Sequence, residues 1–404
     1  MLSVDEALKI VLAHATPLPP VRVALGDALG CVLAEEVASD VDSPPHDKAM
    51  VDGYAVVAAD LASGRATLRL LEVITAGEVP RLIVEPGTTT RIMTGAPIPA
   101  GADAVVMVER SSIAPDGRIA LDEARTVAGQ NIFRRGRSLV RGQVVLRPGA
   151  RLRSIEVGAL AEVGRGEVQV VRRPSVAVLA TGNELVAPSA MPDPGQIRNS
   201  NGPMLVAAVR EAGATPVDLG IARDDVDDLA RLIEAGLAHD VLLLSGGVSA
   251  GVLDLVPAVL KSLAVDEVFH KVNLKPGKPL WFGHKVAGTL PTLVFGLPGN
   301  PVGSLVCFEL FVRPVIAKLS GRCDIAALRV SATLTKPVAQ RGDRPTYFPA
   351  AYCETNAYRR VEPLPWQGSA DLATLVQANS LLVLPPGDKT YAEGEPVEVH
   401  LLGN

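Results

Sequence analysis

The stretch DVLLLSGGVSAGVLD, residues Asp240–Asp254, decides the fold of this 404-residue chain. Its four consecutive apolar residues, 241–244, are typical of a strand buried on both faces, as in a parallel sheet. A glycine-rich turn then lets backbone N–H groups approach a ligand closely, and the start of the next helix favours an anion such as phosphate. Gly246, Gly247 and Gly251 are equally consistent with an ordinary strand-to-helix turn.

The composition is that of an ordinary soluble globular protein, with 48% hydrophobic and 21% charged residues. Its length exceeds the roughly 250–300 residues at which a single core stops growing, so we expect more than one domain. A net charge of −5 gives no general attraction to nucleic acid or an anionic membrane, and we expect neither as a partner. The four cysteines lack CxxC spacing, which favours reduced thiols in a cytoplasmic protein. The acidic N-terminus does not have the pattern of a signal peptide.

Strand and helix patterns alternate from residue 172 to residue 319, which indicates a doubly wound, mostly parallel α/β sheet. Residues 46–135 alternate short β-like runs with Gly/Pro turns, which predicts an inserted β-rich domain. Residues 323–404 return to that pattern and predict a C-terminal β-rich domain. The expected strands of the α/β region are 176–180, 216–219, 241–244, 267–272 and 292–295, and its expected helices are 199–212, 225–237, 254–263 and 301–319.

The N-terminal segment carries helix signals. Ser3 and Glu6 form a capping-box pair ahead of an apolar face, so we expect a helix over 3–14. The further elements expected outside the α/β region are a strand at 21–25, a second helix at 27–36, a helix at 154–163 and a strand at 167–171.

Three polar or glycine-rich loops follow strands of the α/β region, at 181–184, 245–251 and 296–301. Because the carboxyl ends of parallel strands face one crevice, we expect their side chains to form a small-molecule site. The alternative is that all three loops are ordinary turns. The side chains expected to converge are Glu184, Ser245, Ser249, Asp254 and Asn300.

The segment KPGKP, Lys275–Pro279, presents two ammonium groups in a frame of prolines and glycine. Lysine suits phosphate as a point charge, and the prolines limit the entropy lost when both side chains are held. A solvated turn with two surface lysines is the alternative. Asp224 and Asp225 precede a helix, where Asp225 is better explained as its N-cap. Asp52 and Thr94, in the inserted region, have no partner in the local sequence.

Other nucleotide-binding signatures are missing from the sequence. The GxxxxG spacing of 246–251 continues as Val252-Leu253 where a Walker motif needs Lys and Ser/Thr, and no strand is followed by GxGxxG. None of the six histidines forms an HExxH or paired set. Hard oxygen ligands therefore remain for a metal, which favours Mg²⁺ bridging to phosphate over zinc.

Six segments carry a specific resemblance. Residues 44–56 are similar to PPFDKSAMDGYAV, and residues 93–106 to MTGAPxPxGADAVV. Together with four further segments, they make the chain as a whole resemble the molybdopterin molybdenumtransferase family, MoeA, which includes the E domain of gephyrin. The other segments are 181–185 (TGDEL), 245–251 (SGGVSxG), 275–279 (KPGKP) and 296–301 (GLPGNP).

This resemblance implies a multidomain α/β plus β fold and an elongated homodimer. It places the active site at the subunit interface, where the α/β domain of one subunit meets the inserted domain of the other. The implied domains are a small linker domain at 21–45 and 136–170, the inserted β-rich domain at 46–135, the α/β molybdopterin-binding domain at 1–20 and 171–322, and the C-terminal β-rich domain at 323–404.

The resemblance also implies an activity, the insertion of molybdate into adenylylated molybdopterin (molybdopterin-AMP) with Mg²⁺-dependent release of AMP. Molybdopterin adenylyltransferase and molybdoenzymes are then expected as transient partners. The implied catalytic residues are Asp52, Thr94, Glu184 and Asp254, and the implied metal ligands are Glu184, Asp224 and Asp254. The residues implied to bind the substrate are Ser245, Gly246, Gly247, Ser249, Gly251, Lys275, Lys278, Pro298, Asn300 and Pro301.

Four acids of the family pattern are replaced in this chain. A divalent ion needs carboxylate charge unless its substrate supplies it. The replacements therefore favour an alternative function, a catalytically weak paralogue that binds molybdopterin as a carrier or assembly scaffold. The retained acids and lysines favour the enzyme. The substituted positions are Asn183 in TGDEL, Asn199 in GxIYDxN, Val252 after SGGVSxG and Ser138 in GED.

Overall fold

The computed structural model describes residues 1–247, 255–286, 288–325 and 329–403. Its first helix, α1 (Val4–His14), begins with the predicted capping box: the Ser3 hydroxyl accepts from the Glu6 N–H, and the Glu6 carboxylate accepts from the Ser3 N–H. The apolar face of α1 packs into the core of the α/β region.

The helix predicted over 27–36 is wrong. After β1 (Pro20–Ala24) the chain makes one 3₁₀ turn, Leu25–Asp27, and then runs extended to β2 (Val37–Ala38). Val32 and Leu33 form bridges to other segments instead of turning into a helix. Gly30 has a φ of 80°, which ends any helical path, and Cys31, Val32 and Leu33, which follow it, are buried.

The inserted region forms a six-stranded sheet in the order β7-β4-β6-β5-β9-β8. Alternate residues of one strand pack into different cores, Tyr54 on one face and Ala55 on the other, so both faces of the sheet are covered. Its strands and the short flanking pair are β3 (Lys48–Ala49), β4 (Gly53–Val56), β5 (Arg65–Ile74), β6 (Thr88–Ile92), β7 (Ala104–Met107), β8 (Ser111–Ile113), β9 (Ile119–Asp122) and β10 (Ile132–Phe133).

The segments before and after this sheet fold together. β11 (Val144–Leu146) pairs with β2, and β12 (Glu167–Val171) pairs antiparallel with β1 along its whole length. Between them lies α2 (Ser154–Glu162), which packs on the same small core. Two separate pieces of sequence therefore pack on one small core. The bounds of the four domains stay predictions.

The α/β region has a six-stranded sheet in the order β16-β13-β17-β20-β19-β18, with a hydrophobic core on each face. The first three pairings are parallel and the last two antiparallel, so the mostly parallel sheet is confirmed and the antiparallel edge was not predicted. All five residues of β17 are buried. The strands are β13 (Ser175–Thr181), β14 (Leu185–Val186), β15 (Ile197–Arg198), β16 (Thr215–Ala222), β17 (Val241–Ser245), β18 (Asp266–His270), β19 (Trp281–Val286) and β20 (Pro291–Leu297).

Helices cover both faces of this sheet. The predicted long helix at 301–319 is continuous but contains a π-helical stretch, Phe308–Val312, in its middle. Among the described residues, no helix is both long and apolar enough to cross a bilayer. The helices are α3 (Asn201–Glu211), α4 (Val226–Gly236), α5 (Val256–Ser262), α6 (Pro301–Cys307) and α7 (Arg313–Leu319).

The C-terminal region is β-rich, as predicted, and its main sheet closes into a barrel in the order β21-β24-β23-β25-β27. Pairing of the last strand with the first closes this barrel. Its elements, with a short hairpin and helix, are β21 (Arg329–Leu334), β22 (Val338–Gln340), β23 (Thr346–Glu354), β24 (Arg359–Pro363), α8 (Leu372–Leu375), β25 (Ser380–Leu384), β26 (Lys389–Tyr391) and β27 (Pro396–Leu401).

Candidate functional site

A cleft of about 280 Å³, here called the strand-end cleft, lies at the carboxyl ends of β13, β17 and β20. The structure thus brings together five of the residues predicted for the site, and their functions stay predictions. Those five are Glu184, Ser245, Gly246, Asn300 and Pro301; the other polar residues lining the cleft include Thr181, Asn199 and Asn201.

Asn201 ties two of the strand ends to each other. Its side-chain amide donates to the Ser245 hydroxyl at 2.9 Å and to the Gly299 carbonyl at 2.7 Å, and the residue is buried. The Thr181 hydroxyl nearby is buried with no hydrogen-bond partner in the described part of the chain. Sequence reasoning named Thr181 only as the first residue of the loop 181–184 and missed Asn201, because a polar residue at a helix start has many ordinary explanations.

The two glycines after β17 are required by close packing. Gly246 and Gly247 have positive φ angles of 99° and 64°. A Cβ on Gly246 would lie 2.7 Å from the Thr181 carbonyl oxygen, and one on Gly247 would lie 2.6 Å from a methyl of Val256. Local packing therefore accounts for both glycines whether or not a ligand binds. The predicted residues Ser249, Gly251 and Asp254, and also Val252, lie outside the described residues.

The acids beside the strand-end cleft sit on two loops that hydrogen-bond to each other. The Asn183 N–H donates to the Asp224 carboxylate, and the Asp224 N–H donates to the Asn183 side-chain oxygen, both at 3.1 Å. The exposed Glu184 carboxylate lies over Gly182, where an added Cβ would come within 2.4 Å of it. Within the described ranges, no group of three or more His, Cys, Asp or Glu side chains is arranged to hold a metal.

Two further polar residues act as helix caps. The Asp225 carboxylate accepts from the N–H groups of Asp227 and Asp228, so Asp225 is the N-cap of α4, as the sequence suggested. The Asn199 side-chain oxygen accepts from the Gly202 N–H at 2.9 Å at the start of α3. Asn199, which stands at a family acid position, therefore has a structural partner.

A second cleft, of about 550 Å³, lies between the α/β region and the C-terminal region and is here called the lysine cleft. Three cationic side chains line it, Lys275, Lys278 and Arg344, and no carboxylate is among its described lining residues. None of the three forms an ion pair with another described residue. The remaining lining residues are Pro276, Gly277, Pro279, Pro298, Asn300, Gly303, Phe348, Trp366, Gln367, Gly368 and Ser369.

The KPGKP loop is held from both sides. The Lys275 N–H donates to the Pro345 carbonyl at 3.0 Å, and the Lys275 carbonyl accepts from the Tyr347 N–H at 2.8 Å, which joins the loop to β23. On the other side Gly277, with a φ of 121°, packs on α6, where an added Cβ would lie 2.7 Å from the sulfur of Cys307. Both contacts fix the backbone between the two lysines.

The C-terminal wall of the lysine cleft was not predicted from the sequence. Arg344 donates to the Leu274 carbonyl at 3.3 Å, next to the KPGKP loop. The Asn300 side chain donates to the Ser369 hydroxyl at 2.9 Å, and the Val302 N–H donates to the Ser369 carbonyl. The only sequence signal for this wall was a set of cationic, aromatic and small polar residues in loops of a β-rich region.

Asp52 and Thr94 are partners of each other. The hydroxyl and the N–H of Thr94 both donate to one Asp52 carboxylate oxygen at 2.7 Å. These hydrogen bonds, the hydroxyl first, lower the pKa of the Asp52 carboxyl. Neither residue lines the strand-end cleft or the lysine cleft of its own chain.

Family models match most of the chain in three consecutive segments. Residues 2–164 match "MoeA N-terminal region (domain I and II)". Residues 177–318 match "Probable molybdopterin binding domain", and residues 331–402 match "MoeA C-terminal region (domain IV)".

Individual relatives match over the full length. The chain is 35% identical over 408 residues to the molybdopterin molybdenumtransferase of Bacillus subtilis (strain 168), covering 99% of this chain and 94% of the relative. It is 33% identical over 413 residues to that of Staphylococcus aureus (strain MSSA476), covering 99% and 95%. The crystal structure of a molybdopterin biosynthesis MoeA protein from Pyrococcus horikosii matches with a TM-score of 0.81 at 32% identity, covering 99% of each chain.

Proposed function

The chain belongs to the MoeA family of molybdopterin molybdenumtransferases, enzymes of molybdenum cofactor biosynthesis, and we propose that it inserts molybdate into adenylylated molybdopterin with Mg²⁺-dependent release of AMP. Molybdate, the phosphate groups of the substrate and the AMP product are all anions. The proposal therefore needs a site where negative charge is held in a concave, partly dry pocket.

The observation that carries the proposal is the lysine cleft. Lys275, Lys278 and Arg344 line one pocket without a carboxylate among its lining residues. Side-chain cations near a protein surface are commonly compensated by acids, so three cations that form no ion pair in the described chain produce a strong positive potential. The lysines supply point charges and the arginine supplies a planar fork, which together suit a tetrahedral oxyanion or a phosphate.

The order in the surrounding structure supports a positioning role for these cations. The Lys275 N–H and carbonyl are hydrogen-bonded to Pro345, just before β23, and to Tyr347 in β23, and Gly277 packs against α6. A loop held in this way loses little conformational freedom when an anion binds, so more of the electrostatic interaction appears as affinity. The cleft would hold the oxyanion close to the point where the substrate's phosphate is cleaved.

We propose that Mg²⁺ binds at the acids of the strand-end cleft, of which Glu184 lines the cleft and Asp224 lies beside it. Glu184 and Asp224 carry carboxylates on hydrogen-bonded loops, and Asp254, outside the described residues, is the third predicted ligand. Mg²⁺ is often bound by one or two carboxylates together with substrate phosphates. When bound, the ion would offset negative charge on the phosphate that leaves with AMP. The Asn183–Asp224 hydrogen bonds would keep the Asp224 carboxylate turned toward the neighbouring loop.

The position of Asp52 and Thr94 supports a site shared between two subunits. Their hydrogen-bonded pair lies in loops of the inserted region, before β4 and after β6, and lines neither cleft of its own chain. We propose that the chain forms a homodimer in which this pair completes the cleft of the other subunit. In that position the Asp52 carboxylate, kept ionised by Thr94, would face the substrate.

The setting of the reaction is also part of the proposal. We place the enzyme in the cytoplasm, with molybdopterin adenylyltransferase supplying its substrate and molybdoenzymes receiving its product. The net charge of −5 argues against nucleic acid or an anionic membrane as a partner.

One observation favours a second function. Asn183 and Asn199 are neutral where the family pattern has acids, and each makes structural hydrogen bonds here. A cleft with fewer carboxylates binds Mg²⁺ more weakly unless the substrate supplies charge. The second candidate is therefore a carrier or assembly scaffold that binds molybdopterin without turnover.

AMP release separates the two functions. Purified protein is mixed with adenylylated molybdopterin, molybdate and Mg²⁺, and AMP is measured by chromatography. We expect molybdate-dependent release, and loss of turnover in Asp254→Asn. Lys278→Ala should lower kcat/KM for molybdate roughly thirtyfold, which corresponds to about 2 kcal/mol for one charge-assisted contact. Lys9→Ala, an exposed lysine on α1, is the matched control. Tight substrate binding without AMP release would overturn the enzyme in favour of the carrier.

A further inference from the structure

Two aromatic rings form a corner in the wall of the lysine cleft. Phe348 and Trp366 both line the cleft, with ring centroids 5.2 Å apart and planes at 84° to each other. Rings in this edge-to-face arrangement hold each other in place. A planar group stacked on one ring would meet the other ring edge-on.

The cleft is larger than an oxyanion requires. Its volume of about 550 Å³ lies within the range of roughly 300–1,000 Å³ typical of pockets that hold whole small molecules. Pro276, Pro279 and Pro298 give its walls further apolar surface beside the three cations. The chemistry of the lining therefore matches a ligand that is part apolar ring and part anion.

Trp366 is an unfavourable residue at this position for the stability of the fold. Its indole nitrogen is buried and has no acceptor in the described part of the chain, and such an unpaired donor lowers stability. Phenylalanine would provide an aromatic ring without that cost. Part of the larger indole packs against the core of the α/β region, and the part that lines the cleft is available to a ligand.

We propose that the corner of Phe348 and Trp366 binds the planar heteroaromatic ring of a phosphate-bearing ligand, while Lys275, Lys278 and Arg344 hold its anionic group. The identity of that ligand as the adenylylated substrate rests on the proposed function. The ring is then either the adenine or the pterin of that substrate. Stacking on an aromatic side chain has little preference among heterocycles, so the shared chemistry is the ring with its phosphate.

Binding of small probes tests the corner separately from turnover. The probes for calorimetry are AMP, 6-hydroxymethylpterin phosphate, ribose 5-phosphate, which has no heteroaromatic ring, and molybdate. We expect at least one ring-bearing probe to bind more tightly than ribose 5-phosphate. Trp366→Ala should lower the affinity for that probe by about tenfold or more and leave the affinities for ribose 5-phosphate and molybdate unchanged. Trp366→Phe should bind with intermediate affinity and melt at the same or a higher temperature.

Fluorescence provides a second readout. The chain has two tryptophans, and Trp281 is only 1% exposed and donates to Glu267 in the sheet. In a Trp281→Phe background, binding of the ring-bearing probe that occupies the corner should change the emission of Trp366. If adenine is the ring bound, AMP responds; if pterin is, the pterin phosphate is the tighter probe by calorimetry.

The inference fails if neither ring-bearing probe binds more tightly than ribose 5-phosphate, or if Trp366→Ala weakens all four probes equally. These outcomes differ from a failure of the proposed function. A protein that never releases AMP but loses ring binding in Trp366→Ala would keep the corner as a ligand site and lose the transferase activity.

Discussion

The strand-end cleft and the lysine cleft lie on either side of Asn300, yet they are built in different ways. The strand-end cleft is formed mainly by loops that leave the ends of a single sheet. Its described lining carries one carboxylate, Glu184, and one cation, Arg198, and the Asp224 carboxylate lies nearby, hydrogen-bonded to Asn183. The lysine cleft is formed where two regions pack together, and its charges are all positive.

Among the described lining residues, a carboxylate is present only in the strand-end cleft. Acids on strand-end loops suit a cation, and cations between two regions suit an anion. Asn300 lines both clefts. Its side chain also donates to Ser369 in the C-terminal wall of the lysine cleft. A substrate that carries phosphate could then contact a metal on one side and cations on the other. Four substitutions test the charges of the two clefts and the elements that form them.

Charge reversal at Arg344 has the largest expected effect. Arg344→Glu replaces a cation of the lysine cleft by an anion, so molybdate affinity should fall roughly hundredfold, about 3 kcal/mol. Calorimetry with molybdate measures this loss, and Mg²⁺ binding should stay unchanged because Arg344 does not line the strand-end cleft. Arg341→Glu, three residues away and outside the cleft lining, is the control. Equal losses in both variants would mean that only net charge matters.

Acid should weaken the C-terminal barrel, which forms one wall of the lysine cleft. Burial and the nearby Arg329 and Arg313 lower the pKa of His400 to about 4. The unfolded chain, with an ordinary histidine pKa near 6.5, binds more protons between those values, so the free energy of unfolding should fall by about 3 kcal/mol as the pH drops from 7 to 4. His400→Leu should remove this slope.

The test of this pH dependence is denaturant unfolding at several pH values, followed by the emission of Trp366 in the Trp281→Phe background. His46→Gln, at an exposed histidine in the bend before β3, should keep the slope. The explanation is wrong if His400→Leu retains the full loss of stability between pH 7 and pH 4.

Asn201 should stabilise the strand-end cleft. Asn201→Leu leaves the Ser245 hydroxyl and the Gly299 carbonyl without its two hydrogen bonds, while it also removes an unpaired side-chain oxygen. The expected net loss is about 1–2 kcal/mol, or a few degrees in melting temperature by calorimetry. Ser245→Ala removes only one of these acceptors and should cost less. Equal losses of stability in the two variants would show that the hydrogen bond to Gly299 contributes nothing.

The smallest effect is expected from added charge at position 183. Asn183→Asp places a second carboxylate beside Asp224, which should raise the affinity for Mg²⁺ about fivefold in calorimetry without substrate. Asn183→Ser, which removes the amide without adding charge, is the control and should not tighten binding. No gain in Asn183→Asp would mean that these loops do not hold the ion.

The strand-end cleft could be predicted from the sequence to a large extent, because parallel strands leave the sheet at one edge. Glu184, Ser245 and Asn300 were placed together by that rule alone. The glycines after β17 were also identified, although their close packing against Thr181 requires the register of β13 and β17.

The lysine cleft was only half predictable. KPGKP was recognised as a cationic loop, but Arg344 and Trp366 come from a region whose packing onto that loop no local pattern encodes. The wrong helix at 27–36 has a related cause: its apolar residues satisfy a helix pattern until Gly30 turns the chain toward partners more than a hundred residues away. Local spacing predicts elements, while contacts between distant segments determine where their side chains meet.

The most direct test of the central claim is to locate molybdate in a crystal of the protein, using diffraction data collected at the molybdenum absorption edge. We expect an anomalous peak in the lysine cleft, within hydrogen-bonding distance of Lys275, Lys278 or Arg344. A peak in the strand-end cleft or elsewhere, with the lysine cleft empty, would contradict it.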